Sequence, residues 1–227
     1  MRWIVTLVML LLPVCAAAQE ATALKTEKEK LSYAMGMDLG NQLKSRALTI
    51  DPAVFAQGLK DALGGGSTLL TEAEAKALIA ELQKAMLIKQ AAEAKVVGTK
   101  NTAEGDAFLA ANKAKEGVVV LPSGVQYKVL TAGTGKKPTI DDTVVCQYRG
   151  TLIDGKEFDS SYKHGQPASF PVKGVIKGWT EVLQLMPVGS KWQVFIPPAL
   201  AYGERGAGAD IGPNATLVFE IELVAIK

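Results

Sequence analysis

Histidine and cysteine are scarce in this chain. Its 227 residues include one histidine, His164, and two cysteines, Cys15 and Cys146. A structural zinc site of the usual kind needs four cysteine or histidine ligands, and a three-histidine metal centre needs more histidines than the chain has. Two cysteines also cannot build a disulfide scaffold. We therefore expect the protein to work without a metal and without a cofactor.

An excess of charge of one sign is also lacking. The chain has 25 Lys and Arg against 23 Asp and Glu, a net charge of +2. Such a small basic excess cannot neutralise a run of phosphates, so a protein that binds nucleic acid mainly through charge is excluded. With 48% hydrophobic residues, the chain is too apolar to be disordered and long enough for one or two folded domains.

The first apolar run is too short to span a membrane comfortably. It covers residues 3–14, behind Arg2, and is followed by Ala16-Ala17-Ala18. A positive start, an apolar segment of about a dozen residues and an A-x-A site are typical of a secretory signal peptide. We predict a signal peptide over residues 1–18. An N-terminal anchor helix and lipid attachment at Cys15 are the alternatives.

Proline is absent between Pro52 and Pro122, and this part of the chain is predicted to be helical. Apolar side chains recur every four residues over 27–44, at Leu31, Met35, Leu39 and Leu43. This spacing is the stripe of an amphipathic helix. Asp51 and Pro52 suit the N-cap and first position of a second helix, which Gly64-Gly65-Gly66 would end.

The longest predicted helix begins at the capping-box pair Thr71 and Glu74. It continues to about Lys115, and about 45 residues at about 1.5 Å each would span about 68 Å. Gly98 and Gly105 would weaken it, each by about 1 kcal/mol relative to Ala. Helices with so little core would leave apolar surface exposed. We therefore expect a homodimer formed through the helices of residues 20–70.

The C-terminal half is predicted to be rich in strands. Polar and apolar residues alternate over 125–129, 144–152, 192–196 and 217–223, which is typical of strands with one buried face. One helical pattern lies among them, formed by Trp179, Val182, Leu183 and Met186. The sequence therefore predicts an α+β fold, with helices first and then an antiparallel sheet wrapped around one short helix.

A reactive nucleophile is missing from this half. No serine stands in a G-x-S-x-G elbow. Cys146 alternates with core-facing residues, so we expect a buried structural thiol, and His164 lies in a polar turn. Aromatic residues are abundant instead, since ten of the fourteen in the chain lie in residues 116–227.

Five segments of this half carry a specific resemblance. They are 144–150 (VVCQYRG), 154–161 (DGKEFDSS), 175–179 (VIKGW), 200–203 (LAYG) and 211–219 (IGPNATLVF). In this order and spacing they resemble FKBP-type peptidyl-prolyl cis-trans isomerases. The segments 32–36 (SYAMG), 58–62 (GLKDA) and 69–72 (LLTE), with the junction at 117–127, are similar to the helical dimerisation region of the secreted bacterial macrophage infectivity potentiator (Mip)-like group.

The resemblance implies a division of the chain into four parts. These are a signal peptide at 1–18, a helical dimerisation region at 19–70, a long connecting helix at 71–115 and an isomerase domain at 116–227. It also implies export to the periplasm, with the outer membrane or cell surface as the alternative if Cys15 carries a lipid.

The resemblance further implies a shallow apolar pocket with Trp179 as its floor. The walls would be Tyr148, Phe158, Val175, Ile176 and Phe219, with Tyr202 and Ile211 at the rim. The Ile176 N–H and the Tyr202 hydroxyl match the donors that the family offers to a ligand carbonyl, and Asp159 would lie at the pocket edge. Two positions depart from the family pattern. His164 stands where many members have an arginine, and Ala168 stands where small members have a wall phenylalanine.

The implied function is acceleration of X–Pro bond rotation in folding proteins, without a covalent intermediate. The partners would be unfolded or proline-containing polypeptides, and macrolides would be inhibitors. Chaperone activity would accompany catalysis. A non-catalytic chaperone or a surface virulence factor is the alternative. We expect Asp159 to be oriented by other groups, such as Tyr148, where the family arginine is missing.

Overall fold

The computed structural model describes residues 24–227. The predicted signal peptide, including Cys15, lies outside the described residues. The chain divides after Glu72 into two compact units, and the second unit comprises Ala73–Lys227. Within the described part, no helix has the length and apolar character that crossing a bilayer requires.

The first unit contains two helices, α1 (Glu27–Ser45) and α2 (Pro52–Gly64). Thr26 caps α1 in a capping box, which satisfies two backbone donors reciprocally. The Asp51 carboxylate caps α2, with proline in the first turn as the sequence predicts. Gly65 ends α2 in the left-handed conformation, with φ 63°. Neither helix buries a single residue, so the described residues of this unit leave their apolar side chains exposed.

The third helix, α3 (Glu72–Asn112), has 41 residues and runs without a break through Gly98 and Gly105. These two glycines and Asn112 are its buried residues, because the C-terminal part of the helix packs on the sheet. A Cβ added at Gly105 would overlap the Thr216 hydroxyl. The glycines are therefore contact positions and not the weak points that the sequence suggests.

Seven strands form one sheet. They are β1 (Val118–Val120), β2 (Gln126–Thr131), β3 (Thr143–Leu152), β4 (Glu157–Ser160), β5 (Ala168–Pro171), β6 (Lys191–Ile196) and β7 (Leu217–Ile226). All the pairs are antiparallel. The order is β1-β2-β6-β7-β3-β4, and β5 pairs with β3. The two longest strands, β3 and β7, are neighbours, with Cys146 opposite Leu223 and Leu152 opposite Leu217.

One short helix, α4 (Lys177–Leu183), completes the core of the second unit. The four residues of the predicted helical pattern, Trp179, Val182, Leu183 and Met186, are all buried. Cys146 is fully buried on β3, and burial raises the pKa of its thiol to about 12. The predicted fold class is confirmed, and Cys146 is a structural thiol.

Candidate active site

A cavity of about 440 Å³ lies beside α4. Its lining consists of Tyr148, Phe158, Asp159, Phe170, Gly174, Val175, Ile176, Trp179, Tyr202 and Phe219. These residues come from β3, β4, β5, β7, the start of α4 and the loop after β6. Most of them are apolar or aromatic, with one carboxyl group among them. A small-molecule or peptide site commonly has this composition.

Trp179 is the centre of the aromatic lining and is only 4% exposed. Three rings meet it edge to face, with ring centroids 5.4 Å away for Tyr148, 5.7 Å for Phe170 and 5.3 Å for Phe219. Such pairs add about 0.5–1.5 kcal/mol each beyond the area that they bury. The indole is therefore held rigidly. Its Nε1 is buried and has no hydrogen-bond partner in the described part of the chain.

A glycine of β3 makes room for the aromatic wall. Gly150 pairs with Asp159 on one side and with Phe219 on the other. A Cβ at this position would lie 2.6 Å from the Phe158 ring and 2.8 Å from the Phe219 ring. Without a side chain at Gly150, the two rings meet edge to face at 5.5 Å.

Asp159 is held at the edge of the cavity by two hydrogen bonds. The Tyr148 hydroxyl donates to Asp159 Oδ2 at 2.7 Å, and the Ser160 N–H donates to Asp159 Oδ1 at 2.8 Å. Burial of the phenol, followed by its hydrogen bond to Asp159, raises the pKa of Tyr148. The hydroxyl therefore stays protonated at neutral pH and continues to donate to the carboxylate.

Two further free donors lie in the lining besides Trp179 Nε1. Neither the Ile176 N–H nor the Tyr202 hydroxyl has a hydrogen-bond partner among residues 24–227. Burial, followed by the nearby Asp159 charge, raises the pKa of Tyr202, so its hydroxyl also keeps its proton. No group of three or more His, Cys, Asp or Glu side chains in the described part is arranged to hold a metal ion.

Comparisons with known proteins identify the family. The family model of the FKBP-type peptidyl-prolyl cis-trans isomerase matches residues 134–224, and the model of the domain amino-terminal to that isomerase matches residues 28–129. "Outer membrane protein MIP" of Legionella longbeachae is 53% identical over 211 residues, which cover 93% of this chain and 91% of that protein. The chain belongs to the FKBP-type peptidyl-prolyl cis-trans isomerases.

Two further FKBP proteins match over most of their length. "Peptidyl-prolyl cis-trans isomerase Mip" of Coxiella burnetii is 47% identical over 210 residues, covering 92% of this chain and 91% of that protein. The crystal structure of FkpA from Escherichia coli has a TM-score of 0.66 and 38% identity, and the match covers 90% of this chain and 99% of that one. The resemblance to the Mip-like FKBPs and the predicted isomerase activity are confirmed.

Eight of the eleven predicted site residues of this FKBP chain line the cavity. They are Tyr148, Phe158, Asp159, Val175, Ile176, Trp179, Tyr202 and Phe219. The structure does not bring His164, Ala168 or Ile211 to the lining.

Each of these three residues has a physical reason for its place. The His164 side chain is 70% exposed, and its Nε2 lies 3.9 Å from Asp159 Oδ1, too far for a hydrogen bond. Ala168 stands opposite Cys146 in the sheet and packs against the core. Ile211 exchanges both backbone hydrogen bonds with Ala207, and its side chain belongs to the core.

Phe170 is the main site residue that the sequence reasoning missed. It lies two residues after Ala168 on β5, so both side chains lie on the same face of the strand. Its ring is edge-on to Tyr148 at 5.7 Å and to Trp179 at 5.7 Å. Because side chains alternate along a strand, the predicted place of Ala168 in the pocket wall also predicts Phe170 there. Gly174, which precedes Val175, carries no chemical signal in the sequence.

Proposed function

We propose that the cavity above Trp179 is where this FKBP-type isomerase rotates the X–Pro bonds of its polypeptide substrates. The observation that carries the proposal is the lining itself, an aromatic enclosure with several free donors and one fixed carboxylate. The uncatalysed barrier is about 18–20 kcal/mol, because twisting the amide removes its resonance. The cis and trans states differ by only about 0.5–1 kcal/mol, so the reaction needs no energy source.

The apolar walls would lower this barrier by favouring the twisted amide. A twisted amide has a less polar carbonyl than a planar one, so moving it from water into an apolar site costs less than moving the planar form. The proline ring would lie on the Trp179 indole between the aromatic walls. The Ile176 N–H and the Tyr202 hydroxyl would donate to substrate carbonyls, which fixes the chain on one side of the rotating bond.

Asp159 would face the rotating amide from the edge of the cavity. Its hydrogen bonds from Tyr148 and Ser160 support a fixed orientation without the arginine that many relatives carry. In this mechanism Asp159 acts as an oriented charge close to the amide. No proton transfer or covalent bond is required.

Isomerisation of a proline tetrapeptide tests these roles. We expect wild-type protein to accelerate the reaction, and Asp159→Ala and Tyr148→Phe each to lower kcat/KM about tenfold or more, the effect of losing one preorganised polar group. Asp141→Ala and Tyr162→Phe are matched controls, because both side chains are exposed and lie outside the lining. Unchanged rates in both site variants would overturn the role of Asp159.

We also propose that the first unit forms a homodimer. The support comes from its apolar side chains, since Leu31 is 63%, Met35 65% and Leu63 81% exposed. Helices with this much apolar surface need a partner to be stable in water. A second copy of the chain would cover the same surface symmetrically. The division at 19–70, 71–115 and 116–227 into functional parts stays a prediction.

Export to the periplasm is the proposed destination. The pattern of residues 1–18 supports it, and a relative with the printed name of an outer membrane protein supports an envelope location. Fractionation combined with mass spectrometry of the mature N-terminus separates cleavage after Ala18 from lipid attachment at Cys15. Chaperone activity and macrolide inhibition stay predictions, tested by suppression of client aggregation and by inhibition of the tetrapeptide assay.

A further inference from the structure

We infer that helix α3 positions one wall of the isomerase pocket, and that Asn101 is the positioning residue. The inference rests on the proposed role of Tyr202 as a donor in the pocket. It concerns the loop at 203–214, which leads from Tyr202 towards β7 and is called the flap below. Asn101 would hold the far end of the flap and thereby fix Tyr202.

The contact between α3 and the flap is close and specific. Asn101 Nδ2 donates to the Pro213 carbonyl at 2.7 Å, across 112 residues of sequence. One turn earlier, a Cβ added at Gly98 would lie 3.3 Å from both Pro213 Cβ and Asn214 Nδ2. The helix backbone is therefore already at contact distance from the flap, and a glycine at this position permits that distance.

A second hydrogen bond leads from this contact to the pocket. The Asn214 N–H donates to the Gly203 carbonyl at 2.8 Å, and Gly203 directly follows Tyr202 in the chain. Asn214 has a φ of 55°, a left-handed conformation that an asparagine adopts only at some cost. The neighbouring Asn101 bond helps to keep Asn214 in this conformation, and so keeps Gly203 and Tyr202 in place.

The Ile211 side chain anchors the middle of the flap in the core, and one ion pair also ties the flap to the rest of the unit. Lys156 Nζ lies 2.8 Å from Asp210 Oδ1, and both side chains are 55% exposed. Exposed ion pairs of this kind contribute little and are screened by salt. The bond from Asn101 is partly buried and uncharged, so it is the more effective restraint. Loss of this bond would lower the fraction of molecules in which Tyr202 is placed to donate to a substrate. The apparent affinity for the substrate would then fall in the same proportion.

The test compares Asn101→Ala with Lys100→Ala in the full mature chain. Lys100 is the neighbouring residue, 71% exposed and paired only with Glu104 of the same helix. We expect Asn101→Ala to lower kcat/KM on a proline tetrapeptide about two- to tenfold, the range that one neutral hydrogen bond supports. Lys100→Ala should leave kcat/KM unchanged. Equal rates for the two variants would overturn the inference.

A double-mutant cycle separates positioning from a general loss of structure. If Asn101 acts through Tyr202, Asn101→Ala should have little further effect on kcat/KM in a Tyr202→Phe background. If the double variant instead loses kcat/KM by the product of the two single losses, Asn101 does not act through the tyrosine hydroxyl. Gly98→Ala is the second variant, because its methyl group would push the flap without removing a hydrogen bond. It should lower kcat/KM without lowering the melting temperature.

Hydrogen exchange at the Asn214 N–H provides a readout that does not depend on activity. We expect this amide to exchange about two- to tenfold faster in Asn101→Ala than in Lys100→Ala, because the flap opens locally more often. An inactive wild type with this difference in exchange would overturn the proposed function and leave the positioning role intact. Equal exchange in the two variants would overturn the positioning role, whatever the activity.

Discussion

The two units of this chain use apolar helices in opposite ways. Helices α1 and α2 together have 32 residues and bury none of them, whereas α4 has seven residues and buries four. Val182 and Leu183 of α4 are completely inaccessible to solvent, but Leu63 of α2 is 81% exposed. The length of a helix therefore says little about the source of its stability, because packing contributes more than helix propensity does. The second unit contains its own packing partners, whereas the described helices of the first unit leave their apolar side chains exposed, which is the ground for the proposed dimer.

The largest expected effect is dissociation of the proposed dimer of the first unit, while the activity of the second unit stays unchanged. Met35→Asp should convert the mature dimer to a monomer, because burying each methionine contributes about 1.5–3 kcal/mol and a symmetric interface contains two copies. Sedimentation velocity should show a dissociation constant raised at least about 100-fold, with tetrapeptide isomerisation unchanged. Lys28→Asp, also on α1, is the charge control and should stay dimeric. A monomeric wild type would contradict the dimer proposal.

Two buried tryptophans make it possible to distinguish the role of the pocket from that of the rest of the core in the second unit. Trp179 and Trp192 are 4% and 5% exposed, but Trp192 stacks on Tyr127 at 4.2 Å and lies outside the cavity lining. Replacing either by Leu should lower the free energy of unfolding by about 2–4 kcal/mol. Only Trp179→Leu should also abolish isomerisation, when both are assayed well below their melting temperatures. Equal activity losses would mean that the floor of the cavity has no special role.

A Gly→Ala substitution should change the free energy of unfolding in opposite directions in the two units. Gly40 of α1 has nothing within 4 Å of an added Cβ, whereas a Cβ at Gly105 of α3 would meet Thr216. Gly40→Ala should raise the free energy of unfolding by about 0.5–1 kcal/mol through helix propensity. Gly105→Ala should lower it by about 1–3 kcal/mol through overpacking. Thermal unfolding measures both, and a stabilising Gly105→Ala would show that the α3–sheet contact is loose.

The smallest expected effect is an alkaline pH dependence of stability that arises from Tyr148 in the second unit. The raised pKa of Tyr148 means that the folded state holds the phenol proton more tightly than the unfolded state does. Its stabilisation is therefore complete below the ordinary tyrosine pKa of about 10 and is lost as the pH rises above that value, at about 1 kcal/mol per pH unit. Tyr148→Phe should flatten this decline in urea unfolding. Tyr33→Phe, at a residue 60% exposed on α1, should leave the decline unchanged.

Local signals in the sequence predict the four helices and the four longest strands, β2, β3, β6 and β7, but not the short strands β1, β4 and β5. The Asp51–Pro52 pair marked the start of α2, and the spacing of Trp179, Val182 and Leu183 marked α4, because capping and helical periodicity depend on residues close in sequence. The family resemblance then supplied the aromatic lining. These features are the ones that a single chain segment can encode.

Contacts between distant segments could not be predicted in the same way. The sequence predicts Gly98 and Gly105 only as weak points of a long helix, since nothing near them in sequence indicates that Pro213 and Thr216 pack against α3. The place of Ile211 at the pocket rim stays a prediction, because the residue belongs to the same buried cluster as Trp179 but is absent from the cavity lining. Such placements depend on tertiary packing, which overrides local preference.

The position of the last strand in the sheet determines when the second unit can fold. Strand β7 comes last in chain order among the seven strands, yet it lies between β6 and β3 in the strand order. Its partners in β3 were synthesised about seventy residues earlier, so the pairing closes a long loop, and such non-local pairings form slowly. A growing chain therefore cannot close this sheet until β7 has been synthesised. A protein that accelerates folding in other chains must itself stay open until its own last strand is available.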